Sequence, residues 1–409
     1  MVSARATPSS PLKPMSGMVV VDLTRYVSGS YLTMLLSSLG ADVIKVEDPN
    51  GGDPYRDQGT ATIDGTSTLY LGLNSGKRSL ALDIKSTEGQ EILERLLARA
   101  DVFAENSRPG SLEKLNLGYE QVHGRHPSLV YTSVSGYGDT GPDRQKGGFD
   151  LILQAASGLM SVTGTDGVGP TKVGSPILDI GAGISAALGT VSALLAREHS
   201  GEGTHVTSSL LEFGIATFTS MVSTIRATGE IPSLLGSHSP TFSPYGAFKT
   251  GDGYLVLAGA GNEALWIQLC EALGLEELAK DARFLTNSGR VDHRDELTAI
   301  LEGRLVSGTT GSWLKMFDAR GIPSSSVQDL ASVLTSPQVE SLGILQEFQI
   351  SAHNEYTAVL PPFSIGARSS YPLSAPQLGE NTNEILRSVG ISAEQIRELE
   401  IHSVAGIAK

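Results

Sequence analysis

Asp179 opens the run Asp179-Ile-Gly-Ala-Gly-Ile-Ser-Ala-Ala-Leu-Gly189, a carboxylate followed at once by small residues. An ionised carboxylate can act as a nucleophile, and small neighbours let a bulky electrophile reach it. Ile180, Ile184, Ala187, Leu188, Val191 and Leu195 recur at three- and four-residue steps with small residues between, which predicts a helix with Asp179 at its start. The plainer reading of such an Asp is an N-cap that accepts hydrogen bonds from the first turn. Both readings are compatible, because a helix N-terminus favours the anionic carboxylate by roughly 0.3–1 kcal/mol.

Positioning that carboxylate requires a frame, and the chain alternates strand-like and helix-like segments from Gly17 onward. Strands are predicted at 18–23, 41–47, 79–83, 101–105 and 128–134, with helices over 31–39 and from Thr87, where Thr87-x-x-Gln90 offers a capping box. Such alternation predicts an α/β fold on a mostly parallel, doubly wound sheet. Ligands of these sheets bind beyond the carboxyl ends of the strands. Those ends carry Val27-Ser-Gly-Ser30, Asn106-Ser-Arg-Pro-Gly110 and Ser135-Gly-Tyr-Gly138. A smaller α/β domain is expected over 245–330, with Trp266, Leu269, Trp313, Leu314 and Phe317 as core. Linkers are expected at 226–244 and 331–344. Residues 1–16 read as a disordered extension lacking the apolar core of a secretory signal.

Composition narrows the partners. The 409 residues are 40% hydrophobic and 18% charged, with a formal charge of -14, which argues against a general nucleic-acid or anionic-membrane surface. No run approaches the roughly 18–20 apolar residues of a membrane span. Cys270 is the single cysteine, which excludes internal disulfides and fits a reducing, cytoplasmic setting; its apolar neighbours at helical spacing predict core packing. The eight histidines form no compact metal-ligand motif, so no metal is expected. A phosphate-gripping G-x-x-x-x-G-K-[ST] is absent, as is G-x-G-x-x-G after the first strand, so no nucleotide cofactor is expected. Isolated cations and amides remain: Lys77, Arg78, Lys85, Asn106, Arg108, Lys114 and Lys146. Each alone reads as a solvated charge, but together at successive strand ends they could ring a polyphosphate.

Gly40-Ala-Asp-Val-Ile-Lys-Val-Glu47, Asn74-Ser-Gly-Lys-Arg-Ser-Leu80, Glu105-Asn-Ser-Arg-Pro-Gly110, Ser135-Gly-Tyr-Gly-Asp-Thr-Gly-Pro142, Gly148-Phe-Asp150 with Gln154-Ala-Ala-Ser-Gly158, and the Asp179 run follow one another in order. In these motifs, from about Pro11 to Leu399, the chain resembles the class III CoA-transferases, also called the CaiB/BaiF family, which includes formyl-CoA and carnitine CoA-transferases. The resemblance implies a Rossmann-like large domain of 17–225 completed by 345–409, the smaller α/β domain between them, and two subunits threaded through each other as an interlocked homodimer. It implies an acyl-CoA and a carboxylic acid as small-molecule substrates, with succinyl-CoA as a donor. It places Asp179 at the family's nucleophile, passing through aspartyl anhydride and aspartyl-CoA thioester intermediates. Oxyanion donors would come from glycine-rich backbone around Asp179 or after Val27.

Coenzyme A contacts carry over onto Val27 and Ser28, Leu82, Asp83, Ile84 and Lys85, Asn106, Ser107 and Arg108, Lys146, and Asp150. Lys114 stands where formyl-CoA transferase has arginine, keeping the charge and losing the fork. Asp48 replaces an arginine at the adenosine end, where Arg56 or Lys77 is the expected substitute. Racemases of the family carry a histidine base where this chain has Phe149, which cannot move a proton. A tetraglycine loop that closes over formyl-CoA transferase's aspartate has no counterpart before Phe248-Lys-Thr-Gly-Asp-Gly253. The resemblance therefore favours an acyl-CoA:carboxylate CoA-transferase. A 2-methylacyl-CoA racemase is the nearest alternative, and a non-catalytic CoA-binding protein is the alternative of another class.

Overall fold

A computed structural model describes residues 11–259, 262–351 and 353–406. The chain divides into two compact units. The first runs through Gly158, resumes over Gly174–Val222, and takes in the chain from Glu340; the second is Leu159–Val173 with Ser223–Val339.

The first unit is built on a seven-stranded sheet. Its members are β1 (Val19–Asp22), β2 (Asp42–Glu47), β3 (Lys77–Leu82), β4 (Val102–Glu105), β5 (Val130–Ser135), β6 (His205–Ser209) and β7 (Ala405–Gly406). The spatial order is β6-β5-β4-β1-β2-β3-β7. Every pairing is parallel except the terminal β7 on β3. Central strands bury both faces, as Val20, Val21, Phe103 and Ala104 do, because helices cover the sheet on each side. The chain runs from β1 outward to β2 and β3, then returns to β4 on β1's other flank. β1 and β4 therefore form the switch point where an open α/β sheet leaves a crevice.

Helix α1 (Ser28–Ser38) follows β1 and α2 (Thr87–Leu97) follows β3. The capping residue of α2 is Ser86, whose Oγ accepts from Gly89 N at 3.0 Å, one residue earlier than the Thr87 box predicts. Helix α3 (Asp150–Ala156) and the long α4 (Ile177–Ser200) complete the site-bearing elements. By length and composition α4 is apolar enough to cross a membrane, contrary to the sequence expectation. Instead its small residues Ala182, Ala186, Thr190 and Ala193 are buried within this unit.

The large apolar residues of α4 lie mostly on its outer side. Ile184, Leu188, Val191 and Leu195 face outward, Leu188 being 69% and Leu195 65% exposed. A Cβ on Gly181 would stand 1.9 Å from the Phe213 ring, and one on Gly183 would stand 2.6 Å from the Ser28 carbonyl. Those glycines serve close packing of protein against protein, and not ligand approach. The C-terminal segment returns to β3, where Ser79 N donates to Asn381 Oδ1 (3.0 Å) and Ala81 N to Thr382 Oγ1 (3.1 Å). Residues 345–359, where no strand was expected, hold a hairpin of Leu345–Gln349 and Glu355–Val359, whose Tyr356 and Ala358 join Met34, Tyr70 and Leu71 in a core.

In the second unit Tyr245–Lys249, Tyr254–Ala258 and Ser324–Ser326 form an antiparallel sheet. Its core includes Trp266, Leu269, Cys270, Trp313 and Phe317, while Leu314 is half-buried.

Candidate active site

The turn after β1 is fixed from below by buried charge. Asp22, the last residue of β1, accepts from Thr24 N (2.9 Å), Thr24 Oγ1 (2.6 Å), Thr33 Oγ1 (2.7 Å) and Lys77 Nζ (3.0 Å). Burial opposes its ionisation, but Lys77, Lys45 and the two hydroxyls outweigh it and hold the carboxyl below the usual carboxylate range. Lys45 donates to the Thr24 carbonyl (2.7 Å) and pairs with Asp53 (3.0 Å). Asp53 in turn accepts from Tyr26 N (3.3 Å) and Tyr55 N (3.0 Å). From the neighbouring strand end, Asn106 accepts from Arg25 N (2.8 Å) and donates to Arg25 O (2.6 Å). The side chain read as a CoA contact is thus engaged in joining the β1 and β4 loops across the switch point. Ser107 N donates to Glu105 Oε2 (2.7 Å), anchoring the same loop from below.

Asp179 sits in the first turn of α4, at its third residue, and not at the N-cap. Pro176 occupies the cap and offers no side-chain bond. The cap comes from Asp150, 28 residues upstream, whose Oδ2 accepts from Leu178 N (2.8 Å) and Asp179 N (3.2 Å), while Oδ1 accepts from Gln154. This frees the Asp179 carboxyl from capping. Burial and then the Asp150 anion push that carboxyl up to about 7, with the Ser28 hydroxyl acting in the opposite direction. The expectation that the helix start keeps Asp179 fully ionised therefore fails, because desolvation and a like charge exceed the effect of a helix terminus. The Gly183 contact brings the start of α1, and with it Ser28, next to this first turn.

Two adjoining cavities open above these loops. One, of about 1380 Å³, is lined by Val27, Ser28, Ser107, Arg108, Lys146 and Asp179, and also by Asn106. Tyr26, Tyr55 and Arg144, none of which was expected at the ligand, line it as well, together with Phe149, which the resemblance sets at the racemases' histidine position. The other, of about 930 Å³, is lined by Leu82, Asp83, Ile84 and Lys85 with Asp48, Leu112 and Leu115. Arg25 and Ser107 border both, so the cavities adjoin along one strand-end face. Arg25, Arg108 and Arg144 are exposed, and among the described residues none has an acidic side chain in salt-bridge range. Gly147 makes room for Arg108, whose guanidinium lies 3.0 Å from where a Cβ would stand. Lys146 pairs with Asp143 (2.8 Å).

Other sequence candidates lie elsewhere. Lys114 is exposed on a short 3-10 turn and lines neither cavity, and Asp150 lines neither because its carboxylate is held by α4. Lys77 is buried against Asp22, and burial draws its ammonium down to about 8. Arg56 is buried in a two-pronged pair with Glu47, at 2.9 and 2.8 Å. Arg78 is paired with Asp42 and Glu384. None of these three is available to a phosphate. Arg25 was detectable in principle, since it immediately precedes the Val27 loop; Tyr55 and Arg144 come from loops whose path the sequence does not give. Among the described residues, no group of three His, Cys, Asp or Glu side chains is arranged to hold a metal.

A doubly wound sheet whose switch-point crevice joins a carboxyl of raised pKa to unpaired guanidiniums defines a site for an anionic ligand with a reactive centre. Residues 15–382 match the family described as CoA-transferase family III. The chain is 36% identical over 382 residues to succinyl-CoA:glutarate CoA-transferase of Mus musculus, covering 92% of this chain and 87% of the mouse protein. It is 33% identical to succinate–glutarate CoA-transferase of Agrobacterium fabrum over 91% of this chain and 95% of that one. A crystal structure of a CaiB/BaiF family protein from Brucella suis superposes with a TM-score of 0.82 at 33% identity, covering 92% of this chain and all of that one. The protein belongs to CoA-transferase family III and is a CoA-transferase, using acyl-CoA substrates.

Proposed function

We propose that the enzyme moves CoA from succinyl-CoA to a short dicarboxylic acid through covalent chemistry on Asp179. A carboxylate oxygen of Asp179 attacks the thioester carbonyl of the donor, and the tetrahedral oxyanion collapses with cleavage of the C–S bond. The products are an aspartyl mixed anhydride and CoA thiolate. The thiolate attacks the aspartyl carbonyl, expels succinate and leaves an aspartyl-CoA thioester. An incoming carboxylate attacks that thioester, giving a second anhydride and the thiolate again. Attack of the thiolate on the acceptor's acyl carbon then releases the new acyl-CoA and restores the Asp179 carboxylate. One thioester replaces another, so the exchange needs no ATP.

The observation that carries this reading is the Asp179 carboxyl on the wall of a cavity that also presents Arg25, Arg108 and Arg144. In this proposal Leu82–Lys85, Ser107 and Arg108 hold the CoA, and Val27 and Ser28 border the thioester. Unpaired guanidiniums suit phosphates and a dicarboxylate's far carboxylate, and the relatives named above act on succinyl-CoA and glutarate by their names. Large CoA-binding and small domains of 17–225 with 345–409 and of 245–330, a cytoplasmic setting, and a homodimer complete the proposal. Support for the dimer is the outward stripe of Ile184, Leu188, Val191 and Leu195, too apolar to favour water. Mixing the protein with succinyl-CoA and a panel of carboxylic acids tests the function. New CoA esters by mass spectrometry are expected with glutarate-like acids; loss of an α-deuterium from a 2-methylacyl-CoA without ester exchange would instead indicate the racemase.

A further inference from the structure

Tyr26 stands at φ 62°, in the left-handed region that glycine enters freely and a bulky side chain rarely does. Its backbone is held there from several sides. Asp53, itself paired with Lys45 where neither side chain meets solvent, accepts from the Tyr26 amide, and Asn106 grips the preceding residue at both its N–H and its carbonyl. A turn that needs only this backbone would be served by glycine. What the tyrosine adds is a ring, and the clamp fixes where that ring stands. It meets Tyr55 edge-to-face at 5.4 Å and 83°, and Phe149 edge-to-face at 6.2 Å and 85°. Phe149 is 63% exposed and Tyr55 half-buried, so the trio is not the inside of a core. All three rings and Asp179 line the same cavity, and Tyr55 is near enough to Asp179 for that anion, after burial, to help raise its phenol's pKa. Strain held by its surroundings at a ligand cavity points to a functional side chain.

We propose that Tyr26, braced by Tyr55 and Phe149, is the specificity-determining wall of the acyl site, limiting the acids that reach Asp179 to short chains. This rests on the assignment of Asp179 as the nucleophile. Edge-to-face rings on a clamped backbone do not yield as a flexible side chain would, so each methylene beyond the accepted length meets a fixed surface. One methylene changes discrimination by about tenfold or more in such a pocket.

The test is the ratio of kcat/KM for adipate to that for glutarate, with succinyl-CoA as donor, in wild type and in Tyr26→Gly, Tyr26→Phe and Phe149→Ala. Wild type is expected to favour glutarate by about tenfold or more. Tyr26→Gly, which removes the ring and suits the left-handed backbone, is expected to raise the adipate ratio by about tenfold, and Tyr26→Phe to keep the wild-type ratio. Phe149→Ala alters an exposed side chain and gives the same readout if Tyr26→Gly does not fold. A ratio unmoved in Tyr26→Gly or, failing that protein, in Phe149→Ala overturns the wall, as does a wild type that takes adipate as readily as glutarate. Mapping the aspartyl-CoA adduct in the same samples separates the two claims: label on Asp179 with unmoved ratios removes the wall alone, and label absent from Asp179 removes the assignment beneath it.

Discussion

In the proposed mechanism Asp179 meets two demands that pull against each other, since the attacking form would be the anion while burial and Asp150 favour the proton and raise the pKa to about 7. A more basic carboxylate is also a better nucleophile once ionised. The kcat/KM for the donor is therefore expected to climb as pH rises through about 7 and to level off above it. Asp150→Asn keeps an acceptor oxygen for the Leu178 and Asp179 amides and removes the charge. Its rising limb is expected at lower pH than wild type, measured as a pH–rate profile; a limb that stays in place would show that Asp150 does not act through Asp179's ionisation. Asp179 was legible as a candidate through its place in the ordered motifs, since the local pattern alone reads as plainly as a helix cap. Its capping was not, because the cap is supplied by Asp150 from a different helix, and no local pattern links positions so far apart.

At the scale of elements, α4 is where packing decided what periodicity could not. Large apolar residues and small ones occupy opposite faces of the same helix, and hydrophobicity favours the large ones for the inside. Close approach to α1 and to Phe213 requires the small ones there instead, as the Gly181 and Gly183 contacts show. Gly183→Ala is expected to force its methyl against the Ser28 carbonyl, lowering stability by about 1–3 kcal/mol and moving Ser28 away from Asp179. A thermal melt read beside the transfer rate checks this: loss of rate with a lowered Tm is expected, and an unchanged Tm would contradict the close contact. The β1–β5 strands were legible from alternating β-branched and helical segments, with ends moved by a residue or two. The hairpin at 345–359 was not, since its strands carry Glu347, Glu355 and Gln349 among few inward apolar positions.

For the whole molecule, a formal charge of -14 coexists with a cavity bordered by unpaired guanidiniums, so the positive character the proposal needs is local and not general. The parallel sheet was legible because its connections are local, whereas β6 and the terminal antiparallel β7 depend on long returns of the chain and were missed. The outward stripe on α4 belongs to this scale as well. Light scattering on the purified protein is expected to give a dimer mass, and Leu188→Glu with Leu195→Glu is expected to abolish that dimer by placing charge in the apolar contact. A wild-type monomer, or a dimer indifferent to both charges, would contradict the assignment of this face.

The covalent role of Asp179 is tested most directly by trapping it. Incubation with succinyl-CoA followed by hydroxylamine, then peptide mapping by mass spectrometry, is expected to place a hydroxamate on the peptide containing Asp179 and on that residue, with Asp179→Ala unlabelled and inactive. Absence of label at Asp179 in an enzyme that is turning over, or full activity in Asp179→Ala, would contradict it.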